Sequence, residues 1–141
     1  MRLAGELGRA LAVVGVLGTA AGCGQRTLVL DLYGSVVYEK PELAEVSHTV
    51  RDERAHGGPA VVRVAILGDP GLSATFDIYP GIVERHPMQE AAAGSYVGEF
   101  ELQGDSLGGT FTITGRLEHP DAGEAVRRDP TPLILRRIGA R

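Results

Sequence analysis

The stretch "TFTITGRLE" (110–118) alternates strictly. Phe111, Ile113 and Leu117 fall on one side; Thr110, Thr112, Thr114 and Arg116 fall on the other. Apolar residues at a period of two describe a strand buried on one face and wet on the other, since successive side chains of extended backbone point to opposite sides. The same pattern recurs along the chain. "AVVRVAIL" (60–67) puts Val62, Val64 and Ile66 on one face, and "SATFDIY" (73–79) does so with Ala74, Phe76 and Ile78. "SYVGEFELQ" (95–103) sets Tyr96, Gly98, Phe100 and Leu102 against Val97, Glu99 and Glu101. "TLVLDLYGSVVYE" (27–39) carries Leu28, Leu30 and Leu32 in phase, with a bend expected at Gly34, and "PLILRRI" (132–138) reads as a last strand. Turn signals punctuate these runs at Gly57-Gly58-Pro59, at "GDPG" (68–71) and at Pro80-Gly81. About six or seven short strands, with a turn roughly every ten residues, predict an all-β fold of the sandwich type.

Composition points the same way. The chain has 141 residues, 20 of them glycine, and only 5% aromatic side chains with no tryptophan. Its core must therefore be built from Val, Leu, Ile and Ala between many turns, which favours strands over a helical bundle. Phe76, Phe100 and Phe111 are the only phenylalanines, and each lies in phase with the aliphatic face of its strand. Tyr96 shares that face, and its hydroxyl is expected to find a partner in the Gly94 loop, because a buried phenol needs one. One segment is ambiguous. In "PELAEVSHTVRDERA" (41–55), Leu43, Val46 and Val50 have helical spacing behind Pro41, yet "AEVSHTV" also alternates. It reads as a short helix or an irregular segment.

The first 22 residues read differently. Arg2 and Arg9 give a positive start, and "ALAVVGVLGTAAG" (10–22) is uncharged and apolar. That run is shorter than the ~20 residues a spanning helix needs, and it ends in small residues, as an export signal does. Ala20-Ala21-Gly22-Cys23 resembles the lipobox of bacterial lipoproteins. The resemblance implies cleavage before Cys23, a diacylglyceryl group on its sulfur and acylation of the new amino terminus. Cys23 is the only cysteine, so lipidation also disposes of a thiol that would otherwise be unpaired outside the cell. The expected organisation is a signal peptide over 1–22, a lipidated tether over 23–26 and a single β-sandwich over 27–138. Loss of Arg2, Glu6 and Arg9 removes a net +1 from the chain's −4, leaving about −5. Such a domain has no general attraction to nucleic acid or to an anionic membrane, so the lipid is the expected membrane contact. Gly24 stands where the inner-membrane retention signal has Asp, which implies the outer membrane, facing the periplasm.

The central part carries a second resemblance. "ILGDPGLSATFDI", "HPMQEAAAGSYVGEFEL" and "TFTITGRL" are similar to immunoglobulin-like modules of bacterial envelope and surface proteins. Shared features are a Gly-x-Pro-Gly turn, an Ala-x-Phe-Asp-Ile strand, a Pro-Met-x-Glu segment, a Gly-x-Tyr-x-Gly strand and a closing Gly-Arg-Leu. The match spans about residues 60 to 118. It implies an immunoglobulin-like β-sandwich and leaves function open, because such modules serve as spacers and as binding platforms.

Several residue groups invite a chemical reading. Gly104-Asp105-Ser106-Leu107 has the letters of a serine esterase motif, but that family places them between a strand and a helix with a downstream Asp-x-x-His. Here alternating strands flank the motif, and the only later histidine, His119, has Arg116 three residues before it. With no base for Ser106, a turn is the expected role. His48, His56, His86 and His119 lack zinc-ligand spacing. His86 and Met88 in "ERHPMQE" (84–90) suit copper as a soft-ligand pair, against a reading in which Met88 fills the core. Glu99 and Glu101 share an outer face, Asp77 points away from Phe76 and Ile78, and the pairs Arg127-Arg128 and Arg136-Arg137 are available to anionic headgroups. The expected function is a non-catalytic, lipid-anchored envelope protein without cofactor or catalytic residues, acting as a structural or protein-interaction module. The alternatives are a ligand- or copper-binding lipoprotein and, last, a serine hydrolase.

Overall fold

A computed structural model describes residues 29–30, 36–104 and 107–139. Its strands are β1 (Val29–Leu30), β2 (Val36–Val37), β3 (Leu43–Asp52), β4 (Ala60–Gly68), β5 (Ser73–Tyr79), β6 (Val83–Pro87), β7 (Gln89–Ala92), β8 (Ser95–Leu102), β9 (Gly109–His119), β10 (Gly123–Arg128) and β11 (Leu133–Leu135). One antiparallel sheet has the order β3-β4-β8-β7. The other runs β10-β9-β5-β6, with β11 also pairing β9, over Gly109 to Phe111. Among the described residues β1 and β2 pair only with each other.

The two sheets face each other as a β-sandwich, and alternation places the core. Val62, Val64 and Ile66 of β4 and Tyr96 and Leu102 of β8 are buried from one side. From the other side come Phe76 and Ile78 of β5, Phe111, Ile113 and Leu117 of β9, and Leu133 and Leu135 of β11. Each fully buried aliphatic or phenyl side chain contributes about 1.5–3 kcal/mol relative to exposure. Phe100 also packs on this core but remains partly exposed. Two glycines set how closely the layers approach. A Cβ on Gly98 would lie 2.7 Å from Phe76 Cε1, and one on Gly115 would lie 2.7 Å from both Ile66 Cδ1 and Val46 Cγ2.

The long sides of the sandwich close in different ways. On one side β6 pairs β5 and β7 pairs β8, so a single run of chain passes between the sheets at Met88. The Met88 N–H still donates to Ala74 O (3.0 Å) while its side chain packs on the core. On the other side β3 lies against β9 and β10 of the facing sheet.

The ambiguous 41–55 segment is mostly strand, followed by a 3-10 turn at Arg54–His56. A bulge between Leu43 and Glu45 explains the ambiguity. The extra residue puts Leu43 and Val46 on the same face three positions apart, which imitates helical spacing in extended backbone. β6, β7 and β10 were not legible, being short and largely exposed. The Tyr96 hydroxyl also differs from expectation. It donates to Asp69 O (2.7 Å) and accepts from Leu72 N–H (3.0 Å), in the turn between β4 and β5 and not in the Gly94 loop. There the Glu90 carboxylate takes the role, accepting from Gly94 N–H and from Gly71 N–H, each at 3.0 Å.

Candidate functional site

Cys23 and the three residues before it lie outside the described residues, as do Asp105 and Ser106. The flanks of Gly104–Leu107 are described, and a buried arginine holds them. Arg54, 3% exposed, sits on the 3-10 turn that follows β3. Its Nη1 donates to Leu107 O (2.5 Å) and, at 3.4 Å, to Gly104 O; its Nη2 donates to Arg136 O (2.9 Å). Nε and Nη2 also form a two-pronged pair with Asp52, at 2.8 and 2.7 Å. The hydrogen bonds from Arg54 hold the Asp52 carboxyl below its ordinary range, against a smaller opposing effect of desolvation. One guanidinium thus joins the end of β3, the β8–β9 crossover and the segment after β11. A planar fork with five donors suits that task.

The histidines are separated. His119 is buried, its ring lies against Tyr38 with centroids 4.9 Å apart, and its Nδ1 accepts from the N–H groups of Asp121 and Ala122 (3.0 and 3.1 Å). It therefore caps the β9–β10 turn. His86 meets the edges of Phe76 and Phe100, with centroids 5.1 and 5.3 Å away. Met88, its partner in the copper reading, sits over Gly98 beside Phe76. Among the described residues no three His, Cys, Asp or Glu side chains come together as a metal site would need.

His48 forms a pair that sequence reasoning missed. It shares the inner face of β3 with Val46, opposite Val64, and its Nδ1 lies 2.5 Å from Asp129 Oδ2. Both side chains are buried. The other carboxylate oxygen of Asp129 accepts from Thr131 N–H (2.8 Å), and its own N–H donates to Ile113 O (2.8 Å). The pair ties the edge strand of one sheet to the end of β10 in the other. An alternating pattern hides such a residue, because His48 simply takes an inward slot.

Charged groups also meet on the outer face of the β10-β9-β5-β6 sheet. Arg116 bridges Glu124 (3.0 Å to each oxygen) and Asp77 (3.1 Å), while Asp77 Oδ1 accepts from Arg85 N–H (2.6 Å). The bond that Arg116 donates to Glu124 outweighs desolvation and, with the weaker contribution of the one to Asp77, raises the guanidinium further above its already high value. Arg116 Nε is buried without a partner. Glu99 and Glu101 lie exposed on the other sheet, where Arg63 stands 3.7 Å from Glu99. Arg127, Arg128, Arg136 and Arg137 are also exposed.

In sum of roles, Arg54, Glu90, Tyr96, His119 and Asp129 all spend polar atoms on the backbone of neighbouring turns. That arrangement fixes loops at both ends of the sandwich. No protein-family model, no curated protein and no solved structure matches this chain.

Proposed function

We propose that this protein is a non-catalytic lipoprotein of the cell envelope: an immunoglobulin-like sandwich anchored through Cys23, working as a structural or protein-interaction module. The observation that carries the anchor is Ala20-Ala21-Gly22-Cys23 directly after the uncharged run 10–22, with no other cysteine in the chain. Two or more acyl chains give stable attachment, at about 0.8 kcal/mol per buried methylene.

The module reading draws support from what the shared motif residues do. Asp69 presents its carbonyl to the Tyr96 hydroxyl, Glu90 gathers the amides of Gly71 and Gly94, and Gly98 makes room for Phe76 and Met88. The quoted motif is thus a set of folding devices, which fits a module whose function resides in its exposed faces. The residues on either side of Asp105 and Ser106, Gly104 and Leu107, turn their carbonyls to Arg54.

Replacing Cys23 by Ala tests the anchor. The variant should accumulate as an unprocessed precursor and take up no labelled palmitate, while the unaltered chain is cut and labelled in the envelope fraction. Normal processing with label retained in the variant would overturn the anchor.

A further inference from the structure

β3 forms an edge of its sheet: among the described residues β4 is its only paired neighbour. The hydrogen-bond pattern shows which of its groups face outward. Gly68 N–H donates to Gly94 O on the β8 side, whereas Asp69 N–H donates to Glu42 O and Glu53 N–H to Pro59 O on the β3 side. Odd-numbered residues of β4 therefore bond toward β3, and through the register Ser47↔Ala65, Thr49↔Arg63 and Arg51↔Val61 so do the odd residues of β3. Val46, His48 and Val50 are left with N–H and C=O groups directed away from β4. Exposed edges of this kind are ordinarily blunted by charged side chains, lysine above all, by inward-pointing charges, proline or bulges, or by brevity. β3 spans ten residues, with neither lysine nor proline, and its one bulge lies at the Leu43 end, leaving 45–52 regular.

We propose that β3 is a self-association edge, on which a second copy of this chain adds its own β3 antiparallel about a two-fold axis through His48. This names a partner for the interaction module proposed above and rests on that reading in that sense alone; lipidation at Cys23 plays no part in it. The register follows from the sequence "EVSHTVR" (45–51), whose ends carry opposite charge. With His48 opposite His48 of the second copy, Val46 meets Val50 and Val50 meets Val46 as hydrogen-bonded pairs, the residues whose backbone groups face outward. Glu45 then stands opposite Arg51 of the second copy, and Arg51 opposite its Glu45, as closely spaced pairs on the outer face. Moving the register by one pairing step in either direction loses both charge pairs. Val50, on the inner face yet 38% exposed, gains an apolar neighbour in Val46 of the second copy. A two-fold contact needs a self-complementary surface, and this strand has one. The other edges suit the role less: β7 has four residues with a register shift, and in β10 Glu124 already holds Arg116.

Charge reversal tests the pairing. The full chain extracted in density-matched detergent should sediment as a concentration-dependent dimer. Glu45→Arg and Arg51→Glu, each placing like charges opposite at both symmetric positions, should raise the dimer dissociation constant at least tenfold. The double variant Glu45→Arg/Arg51→Glu should restore it. Both substituted positions are exposed strand sites, and unchanged thermal melts verify folding. Hydrogen exchange at the Val46, His48 and Val50 amides should slow with protein concentration. A monomer at all concentrations overturns the proposal, including one in which those amides are protected because residues of the same chain cover the edge. A dimer indifferent to both reversals overturns it as well. Neither result bears on Cys23, whose reading stands on processing and labelling.

Discussion

Arg54 offers the sharpest test of how the loops are held. Replacing it by Met keeps much of the apolar stem and removes every donor. Two well-formed bonds to carbonyl oxygens disappear, to Leu107 O and Arg136 O, while the 3.4 Å contact with Gly104 O is too long to count for much. Hydrogen bonds from a charged group contribute about 1.5–3 kcal/mol each. Asp52 remains 29% exposed, so water can replace its lost partner and the ion pair adds little. The expected loss is about 3 kcal/mol or more, against ~5–15 kcal/mol for a whole domain. With a urea slope of ~1–3 kcal/mol per molar, the midpoint should fall by about 1–3 M. Arg51→Met, three residues earlier and largely exposed, should cost under about 0.5 kcal/mol. The difference between wild type and Arg54→Met also depends on pH. Because the folded Asp52 carboxyl is held below its unfolded value of about 3.9, its contribution is complete above that value and disappears as pH falls through the folded one. The gap between the two proteins should therefore narrow in strong acid without closing, since the carbonyl bonds do not titrate. Equal midpoints for Arg54→Met and Arg51→Met at neutral pH would refute the clamp.

Two further substitutions probe the core. Phe111→Ala should cost about 3–5 kcal/mol and leave the domain unfolded or severely weakened, whereas Thr112→Ala on the outer face should not; urea melts with similar midpoints would contradict the half-buried strand. Tyr96→Phe removes the bonds to Asp69 O and Leu72 N–H and should cost about 1–3 kcal/mol, with faster amide exchange at Leu72 than at Gly94, whose partner is Glu90. Equal acceleration at both amides would show that the hydroxyl does not act locally.

Strands buried on one face and long enough to repeat their period were legible in the sequence. β5 occupies the expected residues, Ser73–Tyr79, and β4, β8 and β9 differ from expectation by a residue or so at their ends. β6, β7 and β10 escaped because period two conveys nothing without a buried face, and their residues are mostly exposed. β3 escaped for another reason. Its bulge breaks the phase between Leu43 and Val46, and a single inserted residue is enough to make a strand look like a helix over one turn.

The polar framework was less legible, because its partners are far apart in the chain. Tyr96 announced that its hydroxyl needed a partner, and the Gly94 turn next to it in sequence was the expected taker, yet the Asp69–Leu72 turn supplies it. The fold decides between them: β4 and β8 are neighbours, so the turn after β4 comes to the start of β8, and Glu90 already serves Gly94. His48 and Asp129 are 81 residues apart, and each alone has the look of an ordinary polar residue on a strand or in a turn. Only the facing of the two sheets brings them together, on the side away from β6 and β7, where β3 lies against β9 and β10. That side is also where the backbone groups of Val46, His48 and Val50 point outward, so the buried pair stabilises the geometry of the very edge on which a second copy would dock. Fixing an edge strand before pairing lowers the ordering entropy that association must overcome. In this sandwich, the rigidity of the monomer and the readiness of its open edge therefore have the same physical origin.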